Sequence, residues 1–335
     1  MSSPKVFVTR ILPQSALELI AGSCEMDLWR EEMPPPREAV LERVRGCDGI
    51  LSLLTDRIDA EVMDASPCLK VISNYAVGFD NIDIAAADER RIQVGNTPGV
   101  LTETTADLAF ALLMAAARRV VEADKFTRAG MWRTWSPMLL CGQDIHHATL
   151  GIVGLGRIGR EMAKRARGFD MQVQYYEETP NPQAESRLGI CYSPLEVLLA
   201  SSDFISLHVP LTESTRHIIG ERELALMKPN AILINTSRGP VVDQAALYRA
   251  LRDRRIAGAA LDVFEQEPIA ADDPLLWLEN VVVAPHIGSA SVTTRTKMAM
   301  MAAENLIEGA HCRPIPYKAN PEIDSDFRCC VLDWA

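Results

Sequence analysis

Twice along this chain, short apolar runs rich in Val, Ile and Leu alternate with segments of helical period. That rhythm limits the fold more than any other feature of the sequence. In the first series KVFVT (5–9), EMDLW (25–29), GILSLL (49–54), LKVISN (69–74) and QVGN (93–96) read as strands, with helical stretches after Pro13 and at 36–44, 59–65 and 82–90. The second series runs TLGIVG (149–154), MQVQYY (171–176), FISLHV (204–209), AILINTS (231–237), GAALDVF (258–264) and VVVAP (281–285). Strands joined through helices pair in parallel and are covered on both faces. The expected fold is therefore α/β, with two Rossmann-like doubly wound parallel sheets. One long helix, roughly 102–129, is expected between the series, capped by Thr102 or Thr104 and stopped at Gly130. Another is expected at about 291–309.

A chain of 335 residues exceeds one ordinary core, so two domains are expected. With 48% hydrophobic and 24% charged residues it reads as globular and soluble. A formal net charge of −11 weighs against nucleic acid or an anionic membrane as partner. The longest apolar run, LAFALLMAAA at 108–117, falls far short of the roughly 20 residues that span a bilayer. The opening MSSPKVFVTR lacks an apolar segment of secretory type. Eight cysteines without C-x-x-C spacing read as reduced thiols of a cytoplasmic protein, and the histidines lack metal-site spacing, so no metal is expected. The last fifteen residues, with the vicinal Cys329–Cys330, show no periodicity and read as a mobile or weakly docked tail.

GIVGLGRIG (151–159) holds Gly154-x-Gly156-x-x-Gly159 between an apolar strand and a helix, the context that a dinucleotide loop needs. Gly154 permits the tight turn, Gly156 lets backbone approach a pyrophosphate, and Gly159 lets helix pack on strand. The helix N-terminus adds N–H donors and a positive dipole end. The next strand ends in Glu177-Glu178, and Glu177 lies 23 residues beyond Gly154. A carboxylate there accepts from the ribose hydroxyls and repels a 2′-phosphate, which favours NAD over NADP. Glu178 fits a solvated turn better.

Three successive strand ends then carry Arg238, Glu267 and His286. Singly they fit a surface cation, a turn residue and a capping histidine; together they read as a site, because ligands bind outside the carboxyl ends of such strands. The chemistry they suit is hydride transfer to a 2-oxo acid. A guanidinium grips the substrate carboxylate by a forked pair and polarises the neighbouring carbonyl. An imidazolium gives a proton to the oxygen that becomes alkoxide, and a carboxylate on its other nitrogen favours and orients that charged ring. Asp262, in the strand before Glu267, is placed to face the nicotinamide carboxamide.

NYAVGFDNIDI, NTPGVLTETTADLAFALL, GIVGLGRIGREMAKRARGFDM, SDFISLHVPLT, LINTSRGPVVD, AGAALDVFEQEP and PHIGSAS together resemble the D-isomer-specific 2-hydroxyacid dehydrogenases, most closely the glyoxylate/hydroxypyruvate reductase branch. The resemblance covers about residues 5 to 318. It implies a substrate domain of residues 1–100 and 287–320, an inserted NAD-binding domain of 101–286 and a tail of 321–335. It also implies a cleft between domains, hinge closure and a homodimer. Matched residue by residue, Arg238, Glu267 and His286 are expected to be catalytic. The backbone at Val77-Gly78 is expected to hold the substrate carboxylate, with Leu53 or Leu54 and Trp135 shaping the pocket, the indole in some arrangements coming from a partner subunit. Thr105 is expected at the cofactor phosphates and Thr236 and Asp262 at the nicotinamide. Arg157, Ile158, His208, Pro210 and Ser289 complete the expected cofactor contacts.

Glyoxylate reductases often carry a cation after the second cofactor strand and use NADPH, whereas this chain has Glu177-Glu178. YYEETPNPQAESRLG and LLASSDFI also resemble phosphite dehydrogenase, which has lysine where this chain has Val77. Formate dehydrogenases pair the histidine with glutamine instead of glutamate. A reading from another class stays open, since corepressors of the family bind dinucleotide and partner proteins while retaining the same three residues. An extended tail with partner motifs, absent here, and turnover separate the two roles. The expectation is an enzyme that reduces a small 2-oxo acid with NADH.

Overall fold

The computed structural model describes residues 3–323 and 327–328. The described residues up to Leu101, with those from Ala290 onward, form one compact unit; Thr102–Ser289 form the other.

The first unit has a five-stranded sheet of β1 (Lys5–Val8), β2 (Glu25–Leu28), β3 (Gly49–Ser52), β4 (Val71–Asn74) and β5 (Gln93–Gly95). Their spatial order is β2-β1-β3-β4-β5 and every pairing is parallel. Side chains alternate between faces, as the period of two requires. Val6 and Val8 pack with Met298, Ala299, Ala302, Ala303 and Leu306 of the helix Val292–Ala310, while Phe7 packs on the other face with Val40, Val62 and Ile72. That helix joins this unit, although it is distant in sequence, because its inner face is small. A Cβ on Gly309 would lie 2.4 Å from the Val71 side chain, and Ser73 Oγ donates to the Ala302 carbonyl at 2.7 Å.

The second unit contains β6 (Thr149–Val153), β7 (Gln172–Tyr176), β8 (Cys191–Tyr192), β9 (Phe204–Leu207), β10 (Ile232–Asn235), β11 (Gly258–Leu261) and β12 (Val281–Val283). The order β12-β11-β10-β9-β6-β7-β8 is again wholly parallel. Counted from β6, this is the Rossmann order, with its switch point between β6 and β9. Ile152, Ile232 and Ile234 face one core layer; Val153 and Leu233 face the other.

Four sequence expectations need correction. Strands stop short of their apolar runs at the carboxyl end: β3 ends at Ser52, β10 at Asn235 and β11 at Leu261. Thr236 and Asp262 consequently follow their strands instead of lying within them. Val263 and Phe264 remain buried after leaving the ladder, which is why the run looked longer. Second, the single helix over 102–129 is two, Thr102–Ala117 and Val120–Arg128. Gln143 N–H takes the Ala117 carbonyl at 2.8 Å and Arg119 turns left-handed at φ 52°, its guanidinium held by Glu122. Gly130 closes the second piece at φ +67°. Third, the two-residue strand β8 was too short to show a period. Fourth, Cys312 is disulfide-bonded, whereas Cys24, Cys47, Cys141 and Cys191 are free thiols; spacing alone carries no information on which sulfurs meet. Most of the 321–335 tail, including Cys329–Cys330, lies outside the described residues. Among those described, no helix is long and apolar enough to cross a membrane, and no three His, Cys, Asp or Glu side chains gather to hold a metal.

Candidate active site

The glycine loop leaves β6 at the switch point. Gly154 has φ +95°, and a Cβ there would come 2.8 Å from the His208 carbonyl carbon and the Val209 nitrogen, so only glycine lets β6 and β9 end side by side. A Cβ on Gly159 would lie 2.2 Å from the Gly154 carbonyl, so the helix Arg157–Ala166 also sits tight against the loop. Gly156 is the opposite case. Its Cβ would meet nothing within 4 Å, and as helix N-cap it offers no side chain to the first-turn N–H groups. No side chain caps those donors, and the space beside Gly156 is open, as an incoming phosphate requires. Arg157 is exposed and Ile158 half-buried at that first turn.

Glu177 lies just beyond β7, half-buried, and its Oε2 accepts from Leu155 N–H in the glycine loop at 2.5 Å. One carboxylate oxygen thus fixes the loop. Glu178 is exposed. Beyond β9, His208 Nε2 meets Ser206 Oγ at 2.9 Å, and burial pushes its ring down to about 4, so it is neutral near pH 7. Pro210 is exposed, its carbonyl accepting from Thr215 Oγ1 at 2.6 Å.

Two buried oxygens at the ends of β10 and β11, Thr236 Oγ1 and Asp262 Oδ2, have no hydrogen-bond partner among the described residues. Buried polar atoms seldom stay unpaired, so each one points to a missing donor or acceptor. Asp262 Oδ1 accepts from Ile287 N–H at 2.7 Å. Burial raises the Asp262 carboxyl above its ordinary range, against the opposing pull of the Ile287 N–H, the His286 charge and the Gly288 N–H. Thr105, buried on the helix Thr102–Ala117, and Gly288 adjoin it: a Cβ on Gly288 would lie 3.3 Å from both Asp262 Oδ2 and Thr105 Cγ2. Ser289 follows, half-buried. An amide that both donates and accepts would satisfy the two orphaned oxygens, and the open glycine loop suits a pyrophosphate. The residues present fit a nicotinamide dinucleotide.

Next to these lie the three strand-end residues. His286 stands at φ +53°, its N–H on the Asp262 carbonyl at 2.9 Å. Its Nδ1 meets Glu267 Oε2 at 2.6 Å, and Glu267 Oε1 accepts from Phe264 N–H at 3.0 Å. Burial works to raise the Glu267 carboxyl, but the hydrogen bond and charge of His286, the Phe264 N–H and the Arg238 charge together hold it below the usual carboxylate range. With Nδ1 engaged, Nε2 is the nitrogen left to exchange a proton with a ligand. Arg238 is half-buried; its Nη1 donates to the Ser237 carbonyl at 2.8 Å, and Asn235 Nδ2 holds its own carbonyl at 2.9 Å. The sequence reading missed Gly239: a Cβ there would come 1.8 Å from Phe264 backbone, so the Arg238 turn rests directly on the segment that carries Glu267.

Residues 110–288 match the family described as D-isomer specific 2-hydroxyacid dehydrogenase, NAD binding domain. The chain belongs to the D-isomer-specific 2-hydroxyacid dehydrogenases. It is 58% identical over 321 residues to a glyoxylate reductase of Korarchaeum cryptofilum, covering 96% of this chain and 97% of that protein. A crystal structure of a Thermus thermophilus protein superposes with a TM-score of 0.89 at 47% identity, covering 94% of this chain and 99% of the other. An NADPH-dependent glyoxylate/hydroxypyruvate reductase of Sinorhizobium meliloti, solved with NADP and malonate, gives a TM-score of 0.84 at 32% identity over 98% and 100% of the two chains.

The remaining expected residues lie elsewhere. Leu53 and Leu54 follow β3, Leu53 half-buried and Leu54 39% exposed. Val77 and Gly78 follow β4 and are half-buried. Trp135 is 77% exposed within one chain, in a segment where Met131, Trp132 and Met138 are exposed too. The second unit alone therefore brings together the cofactor loop and the proposed catalytic three.

Proposed function

We propose that this dehydrogenase reduces small 2-oxo acids, glyoxylate and hydroxypyruvate foremost, to the D-2-hydroxy acid with NADH. The observation that carries this reading is the Glu267–His286 pair at 2.6 Å beside two unsatisfied buried oxygens suited to a carboxamide. The substrate range is supported by the glyoxylate reductase relatives at up to 58% identity. A bound dihydronicotinamide supplies the hydride. Arg238 takes the substrate carboxylate and polarises the carbonyl; the N–H groups of Val77 and Gly78 take further carboxylate lone pairs. His286, oriented by Glu267, gives its Nε2 proton to the carbonyl oxygen as charge develops there. Leu53, Leu54 and Trp135 limit the group beyond the 2-oxo carbon, with Trp135 contributed by a partner subunit in a homodimer. Glu177 sets the preference for NADH, in contrast with the NADPH-dependent relative. Thr102–Ser289 act as the NAD-binding domain, and the residues up to Leu101 with those from Ala290 onward as the substrate domain.

A panel of 2-oxo acids with NADH and NADPH, followed at the nicotinamide absorbance, tests this. Glyoxylate and hydroxypyruvate should turn over fastest, with NADH preferred. Turnover of phosphite with NAD and none of any 2-oxo acid would replace the substrate class. Dinucleotide binding without any turnover would favour the corepressor-like role.

A further inference from the structure

Three consecutive carbonyls after β4 are each held by a donor. The Ala76 carbonyl accepts from Thr97 N–H at 2.9 Å, the Val77 carbonyl from Asn96 Nδ2 at 2.8 Å and the Gly78 carbonyl from Asn74 Nδ2 at 2.9 Å. These peptides are trans, so each fixed carbonyl turns the next residue's N–H the opposite way. Holding Ala76, Val77 and Gly78 by their oxygens thereby aims the N–H groups of Val77, Gly78 and Phe79. None of the three donates to a partner among the described residues. Oriented, unspent backbone N–H groups are the donors an anion can use.

Asn96 and Asn74 are themselves fixed. The Asn96 carbonyl accepts from Asn305 Nδ2 at 3.1 Å, and its N–H donates to the Tyr317 carbonyl at 3.1 Å. Its Oδ1 is buried without a partner among the described residues, so the side chain is committed to Val77 through nitrogen alone; a flipped amide would set oxygen against oxygen. Asn74 Nδ2 also donates to Asn81 Oδ1 at 3.1 Å, and its Oδ1 accepts from Ser52 Oγ at 3.2 Å. Asn81 Nδ2 in turn donates to the Leu53 and Asp56 carbonyls at 3.0 and 2.9 Å. The asparagines thus tie the loop after β3 to the loop after β4.

We infer that Asn74 and Asn96 are positioning residues for carboxylate binding, and that Phe79 N–H is a third donor beside those of Val77 and Gly78. This rests on the proposed role of the Val77-Gly78 backbone. A charge-assisted hydrogen bond kept or lost corresponds to about ten-fold or more in affinity. Asn96→Ala and Asn74→Ala should each raise KM for glyoxylate about ten-fold while kcat stays within about three-fold. NADH affinity and the pH profile should not move, as neither residue belongs to the dinucleotide unit; a merely structural defect would lower kcat and NADH binding together. Val77→Pro, which deletes one donor outright, separates the two layers of the argument. If it raises KM and the asparagine variants do not, the positioning role is overturned; if it leaves KM unchanged, the carboxylate reading of the loop falls. The unmodified protein with bound NAD provides a test that needs no variant. Oxamate should shift the backbone amide proton signals of Val77, Gly78 and Phe79 downfield together, and an unmoved Phe79 signal would remove the third donor.

Discussion

Replacing Gly239 by alanine should disable the enzyme from one residue beyond Arg238. A methyl group there would lie 1.8 Å from the carbonyl carbon and oxygen of Phe264 and 2.4 Å from Glu265 nitrogen. Non-bonded carbons approach to about 3.5 Å, so the two segments must part by about 1.7 Å. Backbone stands on one side and a Cβ on the other, so no rotamer change relieves the clash. The displaced segment carries Phe264 N–H, which holds Glu267 Oε1, and Glu267 holds His286. The strain reaches Arg238 from one direction and the proposed proton donor, His286, from the other. A misplacement of about 1 Å can cost on the order of 100-fold, and overpacking costs about 1–3 kcal/mol. Gly239→Ala should therefore lose at least about 100-fold in kcat/KM for glyoxylate, with a lowered melting temperature. NADH affinity by fluorescence should fall far less than kcat/KM, because Gly154–Gly159 and Glu177, which hold the pyrophosphate and ribose end in the proposed reading, lie on other loops. Unchanged kcat/KM would refute the claim that this contact couples Arg238 to Glu267.

Replacing Glu177 by Ala together with Glu178→Arg should narrow or reverse the NADH over NADPH ratio of kcat/KM; equal use of both by the unmodified protein would show that the ribose carboxylate is misassigned. Glu267 is held below its ordinary range, so its contribution to stability is complete above about pH 4.5 and is lost as pH falls through its folded value. The melting-temperature advantage over Glu267→Gln should therefore shrink on acidification, and the alkaline limb of the rate profile for reduction should move to lower pH in the variant. A pH-independent gap together with an unchanged profile would sever the pair. Arg238→Lys keeps the charge but loses the fork and should not restore activity to an inactive Arg238→Ala; phenylpyruvate turning over faster than glyoxylate would overturn the small-pocket reading.

Much of this was legible because the signals were local. The strand-and-helix alternation and the glycine pattern pointed to both parallel sheets, and Arg238, Glu267 and His286 announced themselves by following apolar runs. What stayed hidden depends on contacts distant in sequence. Asn74 and Asn96 read as ordinary strand-end residues, and only the fold shows that their amides meet successive carbonyls. Gly239 reads as a turn glycine until Phe264 lies against it. The helix break at Arg119 needs Gln143 to claim the Ala117 carbonyl, a pairing that no helical period contains. Strand ends misled for a related reason: Val263 and Phe264 are apolar because they fill the core as turn residues.

The most direct test of the central claim is the rate of NADH oxidation by glyoxylate in His286→Ala, measured at saturating cofactor beside a direct titration of NADH binding. With the proposed proton donor gone and Glu267 left without its partner, kcat should fall about 10²–10⁴-fold while NADH affinity is largely kept. A His286→Ala protein that reduces glyoxylate at close to the native rate would contradict the account.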